Sequence, residues 1–386
     1  MAPKYYILSV IYAPPGTQSG NSSSSVTYGS GSTAGTTVGS SNSFKQSYKL
    51  TATASFGDPK VESLDLGLSF AYGRNSTDTS AMDIKKTKAA EINVKGPGVD
   101  GIDHDRDQIW LWLNPRVRMQ MRPQDATWTF EDGQTADIQF VFVGHLKHPD
   151  QIPPGVLQRL QKYGITPADY TDILKADPFA NGAAAIDPSR YKSLHTTFPY
   201  EPPFAPGDPA TTFQTTMSTS TIDTTTSTTQ NDYSVGLTVQ ADSATFISLF
   251  KSEIKSENSW TWTDTCSTGT STNIQESAAV TVGGPAFGYT GPTDMGVYYD
   301  TRYKTFLFAP VTGTIQLRGL VKSSSGKKAS GQEVLVTANG KRYRTFTNAN
   351  GEYRIPEKIA GPVQVRVGRV TKQVAQPGAS LDIAIP

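Results

Sequence analysis

The sequence predicts an all-β protein: an elongated β-rich body with long Ser/Thr-rich hairpins, one short helical insert, and a C-terminal β-sandwich. Three observations predict this. Residues 44–56 and 63–73 alternate apolar and polar with a period of two. Ser and Thr crowd residues 17–43 and 211–230, where charge is scarce and extended chain suits the hydroxyls. Residues 312–386 read as short strands broken at Ser325-Gly326, Asn339-Gly340 and Asn350-Gly351, which are hairpin turn signals.

Composition narrows the function classes. The chain has 386 residues, 18% of them charged, and a formal net charge of +1. So small a charge, with no Lys/Arg cluster, supplies no footprint for nucleic acid. Cys266 is the only cysteine, which rules out an intramolecular disulfide. No run approaches the roughly 18 apolar residues of a membrane helix. Contact with a membrane would therefore be made by strands or at the surface. The apolar run 5–11 is short for a signal-peptide core and reads as a first strand. The expected location is secretion or release without a recognisable signal peptide, followed by membrane association.

The body is expected to span 1–311. Its candidate insertion hairpins are 43–73 and 232–263. Between them, residues 89–95, 109–121 (broken at Asn114-Pro115) and 138–143 read as strands. The helical insert is 154–177. Val156, Leu157 and Leu160 share one helical face that stops near Gly164, and Thr166, Pro167 and Asp169 form the start of a second short helix. The proline-rich segment 181–209 reads as a strap, and 297–308 as the strand that closes the body. Residues 244–257 fit a strand or an amphipathic helix equally.

Within 312–386, Gly319-Leu320-Val321, Gly326-Lys327, Val334-Leu335-Val336 and Thr347-Asn348-Ala349-Asn350-Gly351-Glu352-Tyr353 resemble the carboxypeptidase regulatory-like family. The resemblance implies a transthyretin-like sandwich serving as a non-enzymatic spacer or binding appendage. It supplies no catalytic residue.

No catalytic motif stands out elsewhere, and the chain is read as a non-enzyme. Gly-x-Ser-x-Gly, phosphate-loop and dinucleotide patterns are absent. Asp103, Asp105 and Asp107 have the alternate spacing that offers carboxylates to calcium. Gln108 and Asn114 occupy the positions where an EF-hand loop needs Gly and Glu, so a solvated acidic turn competes with this reading. His145 and His148 beside Asp150, with His195 distant, fall short of a zinc set.

The first hairpin carries the main functional signal. Phe44, Tyr48, Leu50, Ala52, Ala54 and Phe56 share one parity, as do Leu64, Leu66, Leu68, Phe70 and Tyr72, and these are the expected membrane-facing residues. Each strand has about the 9–11 residues that cross a bilayer when tilted. Apolar faces coincide only if paired numbers have an even sum. A five-residue loop satisfies this by setting Ala54 against Leu64, Ala52 against Leu66 and Leu50 against Leu68. A three-residue loop, with Phe56 opposite Lys60, satisfies it too.

The texture of residues 17–87 and 211–281 resembles the aerolysin-like β-pore-forming toxins, in which Ser/Thr-rich strands flank an amphipathic insertion loop. The resemblance implies a homo-oligomer that inserts hairpins into lipid as a β-barrel, with a surface glycan or protein receptor as a further partner. Two other classes fit the same strands. One is a structural or adhesive self-assembling surface or fibre protein. The other is a carbohydrate-binding protein that stacks sugars on Trp110, Trp112, Trp128 and the tyrosines.

Overall fold

The computed structural model describes residues 4–20, 22–28, 45–52, 68–72, 92–114, 117–121, 126–130, 137–183, 185–219, 230–235, 260–267, 277–301, 303, 305–311, 313, 315–374 and 380–386. They form an all-β protein with a small helical insert. Among them no helix is long and apolar enough to cross a membrane.

The first strand, Tyr6–Ile11, pairs antiparallel with Gln108–Trp112, which pairs in turn with Ile138–Phe142. The apolar runs seen in the sequence are buried on both faces: Ile7, Leu8, Val10 and Ile11 against Ile109, Trp110, Leu111 and Trp112. Beneath this sheet lie the two helices of the insert, Pro154–Lys162 and Pro167–Leu174. Leu160, Tyr170 and Ile173 anchor them in the core. Gly164 stops the first helix with φ +70°, where an L side chain would be strained. Asp169 starts the second, its Oδ2 accepting from Thr166 N at 2.8 Å, and it also binds Lys4 at 3.0 Å. That ion pair ties the start of the chain to the insert.

A polar cluster is buried between these layers. Arg190 donates from Nε and Nη2 to the two oxygens of Asp300 at 3.1 and 2.7 Å, and both residues are buried. The Tyr12 hydroxyl donates to Asp300 at 2.8 Å, and Arg190 also reaches the carbonyl of Ala176. Nearby, Asp107 accepts from Ala13 N and contacts His104 Nδ1, each at 2.7 Å. Asp177 accepts from Phe179 N at 3.0 Å. Burial pushes both carboxyls well above the ordinary carboxylate range. It also lowers His104, which stacks on Phe179.

Residues from Leu317 onward have a core of their own, centred on Leu317, Val334, Val336, Tyr353, Val365 and Ile383. Leu317–Ser323 lies between Glu352–Ile355 and Ile383–Ile385 in one sheet. Facing it, Lys341–Phe346, Glu333–Ala338, Val363–Val367 and Val370–Val374 pair in that order. The Asn339-Gly340 turn has φ values of 49° and 76°, the paired left-handed geometry of a two-residue hairpin. In the turn at 347–353, Asn348 Oδ1 accepts from the backbone of Asn350 and Glu352, both at 2.9 Å. Gly319 has no room for a Cβ, because the Leu381 carbonyl lies against it.

Two sequence expectations are corrected. The strap at 181–209 contains the strand Tyr191–Pro199, central to a seven-stranded sheet. A register shift between Ser193 and Thr196, with His195 at φ 48°, breaks the alternation that would have marked it. The single strand expected at 297–308 is a hairpin, Asp294–Asp300 with Thr305–Pro310. The Ser/Thr tract at 17–43 contains the strand Ser25–Tyr28, with Val26 and Tyr28 fully buried. The sandwich shares its larger sheet with the body through one parallel pair, Thr196 with Arg344.

Candidate functional site

The two Ser/Thr-rich halves of the chain come together as one set of four strands. In a base sheet the order is Thr212–Ser218, Ser277–Gly283, Ser25–Tyr28, Ile92–Lys95. In a distal sheet it is Gln230–Val235, Trp260–Ser267, Lys45–Ala52, Leu68–Tyr72. The two orders correspond strand for strand, since each distal strand is the chain neighbour of the base strand in the same place. All neighbours are antiparallel. Both hairpins therefore leave the base sheet at the same end of its strands.

Register aligns their residues in rows. Val235, Trp262, Leu50 and Leu68 stand side by side across the distal sheet. The next row is Tyr233, Asp264, Tyr48 and Phe70, followed by Asn231, Cys266, Gln46 and Tyr72. Since strand residues alternate faces, one face of this sheet holds most of the apolar residues. Ser234, Thr263, Lys49 and Ser69 make up a row of the other face.

The base sheet shows what this parity means. Its buried face consists of Phe213 and Met217, Ala278, Val280 and Val282, Val26 and Tyr28, and Ile92 and Val94, all packed in the body core. Gln214, Thr216, Asn93 and Lys95 occupy the opposite, wet face. Apolar residues are odd-numbered in 212–218 and again in 230–235, and even-numbered in the other three strand pairs apart from Ala71 and Ala279. That parity is the one an uninterrupted strand requires if a single face is to stay apolar along its length.

Of the expected membrane-facing residues, Tyr48, Leu50, Ala52, Leu68, Phe70 and Tyr72 fall on this one face by register. Phe44, Ala54, Phe56, Leu64 and Leu66 lie outside the described residues, as does 244–257. The pairing of Leu50 with Leu68 is the register of the five-residue loop.

The acidic turn is used differently. Asp103 caps a short turn by accepting from Asp105 N at 3.0 Å, Asp105 pairs with Lys147 at 2.6 Å, and Asp107 is enclosed in the core. Among the described residues no group of three or more His, Cys, Asp or Glu is disposed to hold a metal. His195 contacts Glu357 at 2.5 Å rather than His145 or His148. Trp110 and Trp112 are buried in the body core, out of reach of a sugar. The Arg190–Asp300 pair was not legible in the sequence, because its partners are far apart along the chain.

No family model matches the chain, and no curated protein does. Among solved structures it is similar to the TIE protein of Bacillus anthracis at 10% identity, covering 63% of this chain and 53% of that one, with a TM-score of 0.17. The chain thus spans about half the length of that protein. It is also similar to BcpA, the major pilin subunit of Bacillus cereus, at 9% identity over 89% of this chain and 94% of that one, with a TM-score of 0.15. The T6 backbone pilin of Streptococcus pyogenes serotype M6 matches at 8% identity over 95% and 80%, with a TM-score of 0.15. TM-scores of this size establish no shared fold.

Proposed function

We propose that the protein is a homo-oligomer that builds a membrane-spanning β-barrel from its two hairpins. One observation carries this reading: apolar residues of strands from two distant parts of the chain, 45–52 with 68–72 and 230–235 with 260–267, share one face of one antiparallel sheet. A barrel in lipid needs alternating faces and about eight or more strands. Four strands per chain supply the alternation but not the closure, so several copies are required. The hydroxyl-rich face would line the aqueous lumen. The C-terminal sandwich, which resembles the carboxypeptidase regulatory-like family, would stand outside the membrane as a docking or spacing module.

The experiment is release of a trapped dye from liposomes by the purified chain, read together with the mass of the detergent-extracted assembly. Release by a multimer is the expected result. Multimers that leave every liposome intact would point to the second reading, a structural or adhesive assembly at a surface. Asp264 favours that alternative, since it places a carboxylate in the row of Tyr233, Tyr48 and Phe70, where lipid contact is costly. It is also the class of the pilins named above, although likeness at those TM-scores adds no weight.

A further inference from the structure

The base sheet ends in two edges, Thr212–Ser218 and Ile92–Lys95. Neither outer side joins a ladder with another described strand. The sandwich of the same chain nevertheless reaches the first edge with side chains. Arg344 donates from Nη1 to the Thr216 carbonyl at 3.0 Å and from Nη2 to Thr215 Oγ1 at 2.9 Å. Its Nε is held by Glu333 at 2.6 Å. Phe346 packs edge-on against Phe213, with ring centroids 4.5 Å apart.

We propose that the edge Thr212–Ser218 is the docking surface for strand Ile92–Lys95 of a second copy of this chain, with Arg344 as its displaceable cover. The inference rests on the assembly reading above and names the surface that assembly would use. Strand direction supports it. With four alternating strands the two edges run antiparallel to each other, so one copy's Ile92–Lys95 meets the next copy's Thr212–Ser218 in ladder geometry. Facial pattern supports it too. Pairing even-numbered Ile92 and Val94 with odd-numbered Phe213 and Met217 continues the buried face, and sets Lys95 beside Gln214 or Thr216 on the wet one. The contact is head to tail, which forms a ring where the rotation between copies closes and an open filament where it does not.

Unpaired ladder groups invite pairing with another chain, and a charged side chain placed on an edge opposes it. Here a guanidinium occupies an outward carbonyl of one edge, and Lys95 ends the other. A side chain is displaced at far less cost than a hydrogen-bonded strand.

The test uses full-length protein carrying Cys266→Ser. One preparation carries Lys95→Cys and a second carries Gln214→Cys or Thr216→Cys; each is oxidised alone and as a mixture, in buffer and on phosphatidylcholine liposomes. A disulfide between unlike chains that forms only in the mixture is expected. Arg344→Ala should lower the concentration for half-association about tenfold, from the loss of charge-assisted hydrogen bonds, with Arg344→Lys between it and wild type. Cross-links within each preparation alone, or none in any mixture, would overturn the assignment, as would association unchanged by Arg344→Ala. Cross-linked ladders without dye release would leave this edge assignment standing and remove the pore. Dye release without the cross-link would do the reverse.

Discussion

Trp262 lies directly opposite Leu50, and that pairing joins two hairpins from separate halves of the chain into one sheet. It places Val235 and Leu68 at the outer ends of the same row. A four-residue apolar row of this kind is either a lipid-facing band or the underside of a soluble layer. The two differ in what a charge does there.

Leu50→Arg distinguishes them. On a lipid face at mid-bilayer an arginine costs about 2–4 kcal/mol per subunit. Dye release should be abolished while the soluble protein keeps its circular dichroism and melting temperature. Unfolding or aggregation before any membrane is added would identify the face as soluble core.

Asp264→Asn removes the carboxylate from the row of Tyr48 and Phe70. If the face enters lipid, the variant should permeabilise liposomes at lower protein concentration than wild type at neutral pH. Release that is unchanged or weaker would count against lipid contact at this row.

The buried pair of Arg190 and Asp300 should behave as a unit. Breaking one partner of a buried ion pair leaves the other uncompensated, at a cost of about 3–5 kcal/mol. Arg190→Met and Asp300→Asn are each expected to lose an amount of this order in urea denaturation. The double variant should lose less than the sum of the two, and simple additivity would show that the two residues are not coupled.

Asp107 and Asp177 give a pH dependence whose sign is fixed by their raised values. Asp177 Oδ2 is buried with no hydrogen-bond donor to meet it, so burial favours the neutral carboxyl over the charged one. A raised folded pKa means that the folded state binds more protons than the unfolded one above the unfolded carboxylate value. The stability contributed is therefore full below about pH 4 and is lost as pH rises through the folded values. Asp177→Asn provides a permanent donor, so its melting temperature should exceed that of wild type at pH 7 and change less between pH 4 and pH 8. A parallel shift at every pH would show that the Asp177 carboxyl is not the source of the pH dependence.

Much of this fold was legible in the sequence because its signals are local. Alternation marked Lys45–Ala52 and Leu68–Tyr72, and parity alone required an even register for them. Thr166, Pro167 and Asp169 marked a helix start, and Asn339-Gly340 marked a hairpin. Tyr191–Pro199 was hidden because its register shift breaks the period on which strand detection depends.

By itself the sequence determined which residues can share a face, since a strand side chain has only two sides to choose from. Only the tertiary structure decided which strands are neighbours. It set Trp260–Ser267 against Lys45–Ala52, enclosed Asp107 with Asp177, and laid Arg344 on the edge at Thr216. These contacts join residues as far apart as Lys45 and Ser267, and no local propensity encodes which distant partner will satisfy a buried charge or an open ladder.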